Sequence, residues 1–139
     1  MINQVTVFLE NTEGRLANLC RAMAGAGINM KALSLVDTAE YGLARIICEK
    51  PDYAVAFLAE EGFRALKTPV TAIAINDVAG GLAKLMDIFD EADVNVQYGY
   101  CFSRNETAIA VFKISAADGV AIAERITNAG FSILKAEDL

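Results

Sequence analysis

At 139 residues the chain has room for one domain or two very small ones, and a soluble chain of that size can bury about 70% of its unfolded surface. Hydrophobic residues make up 55% and charged residues 22%, with two prolines, which excludes disorder and low complexity. Twelve basic residues face eighteen acidic ones, and the net charge of −6 is a poor basis for gripping the phosphates of a nucleic acid. Histidine is absent, which removes the usual general base and the commonest metal ligand together.

The N-terminal MINQVTVFLEN lacks the basic and long apolar regions of a signal peptide. Nowhere do about eighteen uncharged apolar residues run together, so no membrane span is expected. Cys20, Cys48 and Cys101 are odd in number and widely spaced, which argues against a disulfide framework or a zinc site and fits a reducing cytoplasm.

In chain order, Val5 to Leu9 alternates apolar residues at period two and reads as a strand. A turn, Asn11-Thr12-Glu13-Gly14-Arg15-Leu16, leads to a helix whose apolar residues at 16, 19, 20 and 23 form one buried stripe. Gly27-Ile28-Asn29 closes that helix and opens a second strand, and turn residues at 37–42 lead into a third, Leu43 to Cys48. Asp52 reads as the N-cap of a second helix, and a short strand at 63–67 follows.

The same order then repeats at an offset of 66. Gly14, Leu16, Ala17, Leu19 and Asn29 fall on Gly80, Leu82, Ala83, Leu85 and Asn95 without a gap, and a later two-residue insertion brings Gly62-Phe63 onto Gly130-Phe131. The second copy has a strand from Thr71 to Ile75, the turn Asp77-Val78-Ala79-Gly80-Gly81-Leu82, and a helix stripe at 82, 85, 86 and 89. Asp93-Val94-Asn95 opens its second strand, residues 103–107 turn into Ala108 to Ile114, Asp118 reads as an N-cap, and 131–135 ends the unit. Each copy is thus βαββαβ, and the fold class expected is α+β: two ferredoxin-like units, residues 1–68 and 69–139, with antiparallel sheets and helices on one face. Units this small are marginal alone, and only Lys67-Thr68-Pro69 joins them, so they are expected to pack together as one body.

The chemistry of each unit is expected where the first strand meets the first helix. Open amides and the helix dipole favour a carboxylate there, and a glycine lets backbone approach a ligand. Asn29 and Asn95 offer donors and acceptors. The same residues also read as an N-cap (Asn11, Asp77), a turn glycine and a helix-ending asparagine, with no ligand at all.

The pattern strand, [N/D]-x-x-G-x-L-A, helix, G-[I/V]-N, strand, present twice over essentially all 139 residues, resembles the ACT domain family. The sequence departs from the family at Asp93, where glycine is common, and has no proline before Gly14 or Gly80. The resemblance implies a regulatory module that binds an amino acid between two such domains. Carried over, the ligand positions are Asn11, Gly14, Arg15, Leu16 and Asn29 in the first unit, and Asp77, Gly80, Gly81, Leu82 and Asn95 in the second.

Tyr98, Tyr100 and Phe102 share one strand face, with Gly99 and Cys101 on the other. Without basic neighbours beyond Arg104 they read as packing or a subunit interface rather than a base-stacking platform, and a tyrosine lining a ligand stays open. Cys20 and Cys48 read as small core residues, and Cys101 lacks a histidine to activate it. The resulting expectation is a non-catalytic, cytoplasmic, homodimeric amino-acid sensor without metal or cofactor, acting on a regulated enzyme in trans. A small thiol-dependent enzyme and a purely structural subunit are the alternatives. Seven bases and eight acids give residues 1–68 a charge of −1, whereas five bases and ten acids give 69–139 a charge of −5.

Overall fold

A computed structural model describes residues 1–37 and 41–139, so part of the turn expected at 37–42 lies outside the described residues. The chain divides into two compact units, Asn3–Thr68 and Pro69–Leu139 with Met1–Ile2. The first contains β1 (Ile2–Glu10), α1 (Arg15–Gly25), β2 (Met30–Asp37), β3 (Tyr41–Cys48) and α2 (Pro51–Glu60). β4 (Arg64–Asn76) serves both units, and the second continues with α3 (Gly81–Glu91), β5 (Tyr98–Arg104), β6 (Thr107–Lys113), α4 (Ala116–Asn128) and β7 (Ser132–Ile133). The architecture is α+β. The strands expected at 63–67 and 71–75 are one continuous strand, because Pro69 at its middle favours extended backbone and is exposed.

Within the first unit the strands run β2-β3-β1-β4, and within the second β7-β4-β6-β5. The registers of the two copies match residue for residue. Glu10 pairs with Tyr41 and Phe8 with Leu43 in the first, as Asn76 pairs with Thr107 and Ala74 with Ile109 in the second. Alternation decides which side of each strand faces its helices. Val5, Val7, Leu9, Ala44 and Ile46 pack with Leu19 and Met23 of α1 and Leu58 of α2. Ile73, Ile75, Ala110 and Phe112 pack with Leu85, Phe89, Ile122 and Ile126.

The stripe expected on α3 is shifted. Leu82 is exposed, whereas Gly81 is buried along with Leu85 and Phe89. Neither Asp52 nor Asp118 is an N-cap. Lys50 holds that place for α2 with Pro51 behind it, and Asp52 stands in the first turn paired with Lys67. Ser115 caps α4, its hydroxyl accepting from the Asp118 amide at 3.0 Å and donating to the Asp118 carboxylate at 2.7 Å. The strand expected after Asn95 starts at Tyr98. Tyr98, Tyr100 and Phe102 stand opposite Lys113, Val111 and Ile109, on the sheet face turned from the helical core, and are half-buried. Among the described residues no helix is long and apolar enough to cross a membrane.

Candidate functional site

The loops between first strand and first helix have one geometry in both units. The amide of Thr12 donates to the Glu10 carbonyl at 2.8 Å, and that of Val78 to the Asn76 carbonyl at 2.9 Å. Arg15 and Gly81 donate back to Thr12 and Val78, closing a tight turn. Gly14 at φ 79° and Gly80 at φ 86° are the N-cap residues, without any side-chain cap. Asn11 and Asp77 therefore do not cap the helices, contrary to one reading of the sequence. A Cβ on either capping glycine would meet nothing within 4 Å, so the turn selects glycine for its left-handed backbone and not for space.

The Leu16 and Ala17 amides at the start of α1 have no backbone partner among the described residues, and they point their dipole out of the helix end. Beside them lies a cavity of about 190 Å³ lined by Leu9, Asn11, Thr12, Arg15, Leu16 and Asp37, among others. Three of the residues singled out by sequence (Asn11, Arg15 and Leu16) thus share one cavity, and Gly14 supplies their turn. Asn29 follows the other end of α1, exposed, and is separated from them by the eleven-residue helix, a length of roughly 16 Å.

In the second unit Asp77, Gly80 and Leu82 are exposed at the corresponding loop, and Asn95 is exposed beyond the far end of α3. Gly81 has a packing role. A Cβ there would stand 2.3 Å from the Asn76 carbonyl oxygen, so the close approach of backbone to backbone demands glycine.

Residues that sequence reasoning missed complete the first unit's site. A second cavity, about 540 Å³, adjoins the first through Leu9, Glu10 and Arg15, and is lined also by Phe8, Tyr41, Gly62 and Arg64. The Arg64 guanidinium carbon lies 4.7 Å from the centre of the Phe8 ring, and that of Arg15 lies 4.3 Å from the centre of Phe63. The Phe8 and Tyr41 rings are 6.1 Å apart. Phe8, Tyr41 and Arg64 come from β1, β3 and β4, far apart in sequence. The available signal was the mismatch between copies, since the offset sets Phe8 against Ala74 and, with the later two-residue insertion, Arg64 against Ser132.

Cys48 and Cys101 offer little nucleophilic chemistry. Burial pushes Cys48 above its ordinary 9.0, and partial desolvation does the same to Cys101 although that residue is exposed. Among the described residues no three histidine, cysteine or acidic side chains are grouped to hold a metal ion.

Among solved structures, a protein from Bacteroides thetaiotaomicron is 31% identical with a TM-score of 0.89, over 99% of this chain and 94% of that one. The regulatory subunit of aspartate kinase from Thermus thermophilus, in ligand free form, is 18% identical with a TM-score of 0.67 over 92% of each chain. The same subunit from Thermus flavus is 18% identical with a TM-score of 0.62 over 91% of each. These two likenesses are of fold. A comparison with curated proteins finds no match. A family model for the ACT domain pair matches residues 1–139, and the chain belongs to that family.

Proposed function

We propose that this protein is a non-catalytic regulator that binds a free amino acid beside the β1–α1 loop of its first unit and passes that signal to a separate partner. Membership of the ACT family supports a regulatory, ligand-binding role. The observation that carries the finer reading is the first unit's cavity, where the open end of α1, Asn11, Arg15 and Asp37 meet. An α-carboxylate suits the Leu16 and Ala17 amides and the Arg15 guanidinium, and an ammonium suits Asp37 and the Asn11 carbonyl. Leu9, Leu16 and Leu35 provide an apolar wall. The corresponding second-unit residues, Asp77, Gly80, Gly81, Leu82 and Asn95, carry less of this chemistry, and the proposal places binding in the first unit.

A role without catalysis is supported by the absence of histidine and by the desolvation that disfavours the thiolates of Cys48 and Cys101. Association as a homodimer is supported by Leu33 and Leu35, 41% and 51% exposed on β2, which ends the strand order of its unit. A bound effector would then act by its unequal contacts with two packing states. The test is thermal melting against the free amino acids. A ligand of the native state at a hundredfold excess over Kd adds about 2.7 kcal/mol. Unchanged melting with every amino acid at millimolar concentration would refute the reading.

A further inference from the structure

We infer that the first unit's site is built for an amino acid carrying a second carboxylate, with Arg64 holding that group and Arg15 the α-carboxylate. This rests on the amino-acid reading above and names the ligand class.

Both guanidiniums are held by ring faces: Arg64 on Phe8 at 4.7 Å and Arg15 on Phe63 at 4.3 Å. A guanidinium stacked in this way keeps its in-plane N–H donors for another group, and that fork matches a carboxylate. Among the described residues neither arginine has a carboxylate within ion-pair distance, and the Arg15 Nε is buried without a hydrogen-bond partner. Arg15 also puts a cation at the first position of α1, the end where the helix dipole disfavours one. The unpartnered Nε and the cation at this helix end both work against stability.

The second unit supplies the control. On the same backbone register Phe8, Glu10, Arg15 and Tyr41 become Ala74, Asn76, Gly81 and Thr107, and Arg64 becomes Ser132, which pairs directly with Ala74. The fold therefore forms without any of these side chains, and they differ between the copies as a set. They surround one cavity of about 540 Å³, continuous in its lining with the smaller cavity at the loop. Glu10 lines both cavities and, with Asp37 and Asn11 of the smaller one, suits an ammonium placed between two anionic groups. An acidic amino acid has all three charges in that order.

The experiment is titration calorimetry of the full chain with L-aspartate, L-glutamate, L-asparagine, L-glutamine and succinate. One acid should bind roughly tenfold or more tightly than its amide, the scale of hydrogen bonds to a charged group. Arg64→Gln should bring acid and amide close to parity. An uncharged amino acid that binds as tightly as both acids overturns the inference and leaves the proposed function standing. An acid-to-amide ratio unchanged in Arg64→Gln also overturns it. Binding of succinate alone, lost in Arg64→Gln, keeps the two-arginine anion site and removes the amino-acid reading; no binding by any of the five overturns the inference, and the melting screen over all free amino acids then decides the proposed function. Should Arg64→Gln fail to fold, the acid-to-amide ratio of the native protein decides.

Discussion

Arg15→Leu should make the protein more stable while abolishing its response to the effector. Leucine keeps an aliphatic stem against Phe63 and removes a buried Nε that has no hydrogen-bond partner. An unsatisfied buried donor costs about 1–3 kcal/mol, and the low end applies because Arg15 as a whole is only half-buried. Taking a cation from the start of α1 adds roughly 0.3–1 kcal/mol. Loss of the cation–π contact subtracts about 0.5–1 kcal/mol. The net is a gain of about 1 kcal/mol, or a rise in Tm of roughly 3–5 °C for a chain of this size. Circular dichroism at the helical band reads it directly, with Arg21→Leu as control. Arg21 is exposed on the same helix, bonded to Asn18 at 3.0 Å, and its loss should move stability by less than about 0.5 kcal/mol. A fall in Tm for Arg15→Leu would show that Arg15 supports the fold, and the argument that it is retained against stability would fail.

Glycines on α3 and α4 should respond with opposite signs. Gly81→Ala gains about 1 kcal/mol of helix propensity but drives a Cβ to 2.3 Å from the Asn76 carbonyl, an overpacking that costs roughly 1–3 kcal/mol or more, so Tm should fall. Gly119→Ala meets nothing closer than 3.8 Å and should stabilise by about 0.5–1 kcal/mol. Ser115→Ala should cost about 1 kcal/mol, since the Asp118 amide loses its acceptor. Cys101 should be alkylated by iodoacetamide at pH 7 no faster than a free thiol, because desolvation raises its pKa and leaves less thiolate. Selective fast labelling would restore the thiol-dependent alternative.

The duplicated order of elements was legible because burial on one face of strand and helix imposes periods that sequence displays directly, as at Val5 to Leu9 and at Leu19 and Met23. Helix starts were less legible. Asp52 and Asp118 both have the chemistry of a cap, but Pro51 pre-sets the first turn in one case and Ser115 reaches the amide first in the other. Leu82 looked buried because it continues the apolar i, i+3, i+4, i+7 spacing of Leu85, Met86 and Phe89; the structure caps α3 one residue before Gly81, and the closely packed Gly81 takes the inward place. Of the site, only the local part could be read. Asn11, Arg15 and Leu16 lie within one turn of chain, whereas Phe8, Tyr41 and Arg64 meet only through the order β3-β1-β4.

Comparing the copies separates changes that the backbone absorbs from one that it does not. Where the first unit ends α1 with Gly27 at φ 68°, the second ends α3 with Asp93 at φ 54°, and the following amides make the same bonds, Ile28 to Met23 and Val94 to Phe89. Aspartate tolerates that conformation, so the departure from the family pattern costs little and keeps this bond. The change at 15 and 81 differs in kind. Arg15 has a Cβ and a long side chain directed to Phe63, whereas the equivalent backbone at Gly81 presses against Asn76 until no Cβ fits. The second unit has therefore lost the room for the site as well as its residues. Gly81→Arg with Ser132→Arg would restore both charges yet force the Asn76 carbonyl aside, and it should destabilise the second unit without creating a second acid-selective site.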